Sequence, residues 1–269
     1  MPKISCIMTT YNSEKYLRTA IESILNQTFK DFEFIISEWW STDDTKKVIK
    51  EYMKKDSRII FIDNAINLSN CECLNQCLEM AKWEYITIME SDDFSVPNRF
   101  ELCYQALSKN NDILVLYHSY KPFYTDKDIN WFENQNTIDL YKKNVKEYNG
   151  LCWYIWSTVS SFFSKNLITS IGNFEFKYVW DINYSARVYL SCIPYINTDT
   201  VLYLKRENEN SLYYRKIFRV RKDRYNSTKY LIWKYKLKSL NTKFIIYIKL
   251  YGDLLCKFWC VLKNLILHK

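Results

Sequence analysis

Five short runs of this sequence carry or frame side chains that can do chemistry. Glu90-Ser91-Asp92-Asp93 follows the apolar residues 85–89. Carboxylates at the end of a strand supply hard oxygen ligands, and the Asp92 carboxylate suits Mg2+ or Mn2+ bridging to a diphosphate. Taken alone, the same turn also reads as a cap for the helix beyond Pro97, because Asp and Ser are common in turns. Thr9-Thr10-Tyr11-Asn12 and Glu38-Trp39-Trp40-Ser41-Thr42-Asp43-Asp44-Thr45 close two earlier apolar runs. Far along the chain, Ile171-Gly172-Asn173-Phe174 and Tyr178-Val179-Trp180-Asp181 precede a helical stretch with Arg187. A carboxylate in that place can act as a general base or as a helix N-cap.

Composition narrows the chemistry. The chain has two His, His118 and His268, so His-based triads and His-rich metal sites have little to stand on, and acid–base work falls to carboxylates. Nine Cys, without paired CxxC spacing or nearby His, read as reduced buried thiols rather than a zinc site or a disulfide framework. With 48% hydrophobic and 17% aromatic residues in 269, the chain can bury one sizeable core. The opening residues run straight into an apolar stretch with no basic n-region or cleavage site, so a cytoplasmic start is expected.

The elements that must position these runs alternate. Residues 3–9 suit a buried strand, and Leu17, Ala20, Ile21, Ile24 and Leu25 fall on one helical face behind an N-cap at Asn12 or Ser13. Strands are expected at 32–37, 58–63, 85–89 and 113–117. Helices are expected at 42–55, with Asp43 and Asp44 in the first turn, at 71–81, and after Pro97. This series implies an α/β fold with a mostly parallel sheet, in which ligands bind beyond the carboxyl ends of the strands. The Tyr11, Glu38 and Asp92 regions all lie at such ends. Residues 120–150 show little periodicity, and the stretch after about 211 reads as a basic helical extension.

Taken in order, these motifs resemble the inverting glycosyltransferases of family 2, which have the GT-A fold of nucleotide-diphospho-sugar transferases. The similarity is clearest over residues 1–105, where "TTYNSEKYLRTAIESILNQTFKDFE" and "EYITIMESDDFSVPNRF" look like the family's nucleotide-binding opening and its DXD motif. The resemblance implies that Thr9 and Tyr11 line the nucleotide base pocket, with the Tyr11 ring stacked on the base. It implies that Asp92 is the metal ligand of the DXD motif, with Glu90 in the place of its first acid and Ser91 between them. Asp181 looks like the catalytic base, with Trp180 replacing the usual preceding acid.

Two departures stand out. The family has Asp-Asp-Gly after the second strand, where this chain has Glu38-Trp39-Trp40. Trp39 takes the place of the base-contacting acid, and indole offers a donor but no acceptor. Trp83 likewise stands where the family has Gly. Only 3 Gly against 9 Trp is far from the usual share of about 7% Gly, and Trp40 and Trp83 occupy tight-turn positions that favour Gly. One hypothesis is that some of these Trp are glycine codons read under a different genetic code; Trp masses at 40 and 83 in the native protein would sink it.

Charge is uneven. Residues 201–269 hold 17 Lys and Arg against Glu207, Glu209, Asp223 and Asp253, a net +13 within a chain of +8. Residues 244–269 mix Ile245, Ile248, Leu255, Phe258 and Trp259 with lysines. They lack an uncharged run of about 18 residues, so a basic amphipathic helix on an anionic membrane surface is one reading and a helix packed on its own domain the other.

The expectation is therefore a GT-A-like catalytic domain over residues 1–210, in which residues 1–120 bind the nucleotide and residues 121–210 serve the acceptor, with an extension over 211–269. It would move a sugar from a nucleotide-diphosphate donor, a UDP-sugar first, to a saccharide or lipid-linked glycan in surface polysaccharide or lipopolysaccharide assembly. Mn2+ or Mg2+ would serve as cofactor, with the protein cytoplasmic or peripheral on the inner face of the membrane. A catalytically silent binding or scaffold subunit is the alternative. Nucleic acid is the weaker partner for the tail, which lacks a recognised module.

Overall fold

A computed structural model describes residues 2–82, 84–133, 158–175, 184, 187, 188 and 193–207. Its elements run β1 (Ile4–Thr10), α1 (Glu14–Leu25), β2 (Phe32–Glu38), α2 (Thr45–Lys55), β3 (Ile59–Asp63), α3 (Asn70–Met80), β4 (Tyr85–Glu90), β5 (Phe94–Ser95), α4 (Arg99–Ser108), β6 (Val115–Phe123) and α5 (Asp126–Glu133). After a short 3-10 turn at Thr158–Ser160 come β7 (Ser161–Ser164), α6 (Lys165–Ile171) and β8 (Tyr195–Arg206).

The strands form one sheet in the order β3-β2-β1-β4-β7-β6-β8-β5. The expected parallel sheet is its first half: β1 pairs parallel with β2 and β4, and β2 with β3. All seven residues of β1 and of β2 are buried, as befits strands covered on both faces. Beyond β4 the sheet is mixed. β7 runs antiparallel to β4 and β6, β8 returns parallel to β6, and the two-residue β5 pairs antiparallel with β8. α1 buries Leu17, Ala20, Ile21 and Ile24, the stripe its sequence spacing predicts.

α4 is fastened by Arg99, whose guanidinium is wholly buried. Burying that charge is made tolerable by hydrogen bonds to two of its three nitrogens, the third having no partner among the described residues. Nε donates to His118 Nε2 at 3.0 Å, and one terminal nitrogen donates to Thr87 Oγ1 at 2.7 Å and to the Val159 carbonyl at 2.6 Å. Burial and the adjacent guanidinium hold His118 well below its ordinary pKa, so the ring is neutral and can accept.

Three expectations are corrected. α2 begins at Thr45 rather than at residue 42. The Asp43 carboxylate accepts from the backbone N–H of Thr45 at 3.0 Å and of Glu14 at 3.2 Å, which holds the preceding residues as a turn. The start of the supposedly irregular 120–150 stretch is regular, since β6 runs on to Phe123 and α5 follows. Arg206, counted with the basic tail, is the last residue of β8. The tail at 211–269 lies outside the described residues.

Candidate functional site

Strand register brings the expected donor residues together. Thr10 pairs with Glu38 across β1 and β2, and Thr9 pairs with Glu90 across β1 and β4. Three adjacent strands, each about 4.8 Å from the next, thus present their carboxyl ends in a row. Position 39 follows β2, and Ser91 and Asp92 follow β4.

On the β1–β2 side the loops interlock. Asn12 donates its backbone N–H to Ser41 Oγ at 2.9 Å, and its side-chain oxygen accepts from the Thr42 N–H at 2.9 Å. Ser13 N–H donates to Thr45 Oγ1 at 2.8 Å, and Asp44 N–H to the Glu14 carboxylate at 2.7 Å. This latch sets the Tyr11 and Trp39 rings 4.9 Å apart at 46°. Tyr11 is 43% exposed, so a ring face is open to a planar ligand.

Other residues on this side serve the scaffold. The Thr9 hydroxyl is buried and donates to Asn70 Oδ1 at 2.6 Å. Glu38 is fully buried, its carboxylate accepting from the Ser41 N–H and pairing with Lys46 at 3.2 Å, so it shapes the turn from within. Trp40 sits at φ 81°, in the left-handed region, and is 47% exposed. That is a conformation glycine adopts freely and a bulky side chain does not, which is the strain expected where the family pattern has Gly.

The acidic turn is built differently. Ser91 Oγ meets Ser13 Oγ at 2.7 Å, tying the turn to the start of α1. Asp93 is buried, with one carboxylate oxygen accepting from the Tyr203 hydroxyl at 2.7 Å and the other from the Arg206 N–H at 2.7 Å. Tyr203 in turn accepts from the Glu90 N–H at 3.1 Å. Among the described residues the Asp92 carboxylate makes no ion pair, and the Arg206 and Lys205 charges act on it from nearby. Burial pushes both acids up, and Asp93, with Asp92 beside it, reaches about 7.

The model of glycosyl transferase family 2 matches residues 5–168, more than half of the chain. The chain belongs to this family. A curated relative, an uncharacterized glycosyltransferase of Methanocaldococcus jannaschii, is 38% identical over 149 residues, covering 55% of this chain and 51% of that protein. A UDP-Glc:alpha-D-GlcNAc-diphosphoundecaprenol beta-1,3-glucosyltransferase of Escherichia coli is 34% identical over 128 residues, 48% of this chain and 49% of its own. This chain therefore spans about half the length of these curated relatives. Among solved structures, a mannosyltransferase of Pyrobaculum calidifontis in complex with GDP-Man and Mn2+ superposes with a TM-score of 0.67 at 14% identity, covering 93% of this chain and 69% of that one. That likeness establishes the GT-A fold.

For a member of family 2, the acidic turn suits a divalent cation on its own chemistry. Asp92 offers a hard oxygen donor that makes no ion pair among the described residues; the Arg206 and Lys205 charges favour its ionised form, but burial outweighs them and drives it toward protonation, a tendency a cation would reverse. Among the described residues no group of three or more His, Cys, Asp or Glu could cage a metal. Any ion at Asp92 would need further ligands from elsewhere, as Mg2+ commonly takes them from phosphates and water.

Asp181 and Trp180 lie outside the described residues, as does Trp83. Residues that sequence reasoning passes over include Tyr203, Arg206 and Ser13. The sequence marks Ser13 only as a helix cap. Tyr203 and Arg206 meet the acidic turn across 110 or more positions, and only their place at the end of an apolar run hints at a strand. A shallow cleft of about 520 Å³, lined by Pro2, Asp31, Glu33, Arg58 and Lys82 among others, opens at the amino ends of β1 to β3. It faces away from the acidic turn, and Arg58 there is already bonded to Asp56 and the Leu25 carbonyl.

Proposed function

We propose that this chain is an inverting glycosyltransferase that takes a sugar from a nucleoside-diphosphate donor, a UDP-sugar first, to a saccharide or lipid-linked glycan acceptor. The observation that carries this is the Asp92 carboxylate, which makes no ion pair among the described residues and follows the carboxyl end of β4 in a family 2 chain. The activity of the Escherichia coli relative supports UDP and a lipid-linked acceptor, and the mannosyltransferase's ligands support Mn2+ or Mg2+.

Tyr11 would stack on the nucleotide base beside Trp39. Asp92 would hold the cation against the diphosphate, with Glu90 and Ser91 forming the same wall. Bound there, the cation would offset the charge gathering on the departing nucleoside diphosphate. Asp181 would take the proton from the acceptor hydroxyl while that oxygen attacks the anomeric carbon from the face opposite the nucleotide, which inverts the centre. The catalytic domain would span residues 1–210, and the basic extension 211–269 would rest on an anionic membrane surface near a lipid-linked acceptor. Among the described residues no helix is long and apolar enough to cross a membrane.

Replacing Asp181 with Asn should abolish transfer while donor binding survives; unchanged turnover refutes its role as base. The strained Trp40 beside the base platform favours a second reading, a silent subunit with a remodelled donor loop. Mn2+-dependent hydrolysis of a UDP-sugar by the purified chain would rule that reading out.

A further inference from the structure

The acidic turn is gripped by residues that neither touch a donor nor belong to its own element. The Tyr203 hydroxyl accepts from the Glu90 N–H at 3.1 Å and donates to Asp93 Oδ2 at 2.7 Å, so one oxygen spans both ends of the turn. Arg206 adds three hydrogen bonds. Its backbone N–H donates to Asp93 Oδ1 at 2.7 Å, its Nε to the Asp92 carbonyl at 2.9 Å and a terminal nitrogen to Asp126 Oδ1 at 2.6 Å. The guanidinium also packs over the rings of Tyr16 and Phe123, 4.2 and 4.4 Å from their centres. Immediately after the turn, Phe94 and Ser95 pair with Leu204 and Tyr203, and the Arg99 guanidinium lies 4.9 Å from the Tyr203 ring.

The turn is thereby tied to β8 and α1, and through Arg206 to α5. Among the described residues the Asp92 carboxylate makes no ion pair, and a carboxylate of fixed origin can meet a cation without an ordering cost. Asp93 is poorly placed for that task, because it is buried and each of its oxygens already accepts a hydrogen bond from β8. A second carboxylate beside the first is thus used as an anchor rather than as a ligand.

We propose that Tyr203 and Arg206 are positioning residues for the cation site: by gripping Asp93 and the Asp92 carbonyl, they aim the Asp92 carboxylate. The inference rests on the donor-site reading given above and adds to it which residues outside the motif set its metal affinity. Outer partners of a metal ligand typically govern about 10- to 100-fold in affinity. The planar fork of Arg206 makes two divergent bonds, which a Lys ammonium cannot reproduce at the same stacked position.

The test uses the full chain, with Mn2+ and UDP as probes, and counts free Mn2+ by its EPR signal as UDP is held saturating. Wild type should bind Mn2+ only in the presence of UDP or far better with it; no binding in either condition overturns the donor-site reading itself. Given wild-type binding, Tyr203→Phe and Arg206→Lys should each weaken Mn2+ about 10-fold or more, with UDP affinity in EDTA unchanged. Mn2+ affinity within twofold of wild type in both variants overturns the inference and leaves the donor-site reading standing. An equal fall in metal-free UDP affinity would mark a general structural role and likewise overturn it. Should either variant fail to fold, Asp126→Ala serves, since that side chain is largely exposed and its loss frees only one bond of Arg206. It should weaken Mn2+ about threefold, and no change would count against the proposal.

Discussion

The two halves of the proposed donor site are fastened in opposite ways. On the β1–β2 side, backbone N–H groups and short polar side chains of two surface loops hold one another, and the aromatic pair they carry faces outward. On the β4 side, the acidic turn is bolted to a strand more than 100 positions away through buried oxygens and a stacked guanidinium. Base stacking tolerates small shifts of a ring, because its attraction is broad and every base has a π-face. A metal ligand does not, because bond lengths and angles are narrowly set. The rigid fastening lies where the chemistry is least forgiving.

The sharpest way to break this comparison is at Asp92 itself. Asp92→Asn keeps the shape of the side chain and removes the charge, so the loss of Mn2+ affinity should exceed the roughly 100-fold upper range for outer partners. UDP binding in EDTA should survive, because Tyr11 and Trp39 are untouched. If Mn2+ dependence persisted in a binding titration, the ion would have to sit elsewhere.

That position is legible in the sequence, whereas its support is not. Apolar runs ending in Thr-Tyr-Asn, in Glu-Trp-Trp-Ser-Thr and in Glu-Ser-Asp-Asp place side chains at strand ends by local pattern, and the parallel register then lines them up. Tyr203 and Arg206 carry no such local mark. In β8 they read as an ordinary alternation, and a count of charges groups Arg206 with the basic tail. The short β5 and β7 are hidden for the same reason, since two- and four-residue strands are specified by their partners rather than by their own periodicity.

A second test concerns the open side. Tyr11→Ala removes a stacking face that is 43% exposed, so it should cost nucleotide binding about 1–3 kcal/mol while leaving the melting temperature nearly unchanged. Isothermal titration with UDP and a thermal melt measure the two effects separately. A large drop in melting temperature would show that Tyr11 is core packing instead.

The closed side should behave the other way round. Tyr203→Phe leaves the buried Glu90 N–H and one Asp93 oxygen without the hydroxyl between them, and stranding buried polar groups costs about 1–3 kcal/mol. Chemical denaturation should record that loss even without metal or nucleotide. A stability equal to wild type would mean that water replaces the hydroxyl and that the turn is less tightly held than its hydrogen bonds suggest.

The smallest effect has the opposite sign. Trp40 lies at φ 81° with nearly half its surface in water, so the fold gains little from its ring and bears the cost of a left-handed backbone. For an L-residue that cost is about 1–2 kcal/mol, partly offset by the greater entropy of glycine in the unfolded chain. Trp40→Gly should therefore raise stability, by about 1 kcal/mol at most, where nearly every other substitution in the site lowers it. The latch from Asn12 to Ser41 and Thr42 should persist, because it does not use the Trp40 side chain. Denaturation midpoints of the two proteins would reveal the gain, and a loss would show that the indole is held by contacts worth more than the strain. Peptide masses from the native source bear on the same point: a glycine mass at position 40 would mean that the natural chain already has the relaxed loop, and the open half of the site would then be a looser copy of the family pattern rather than a departure from it.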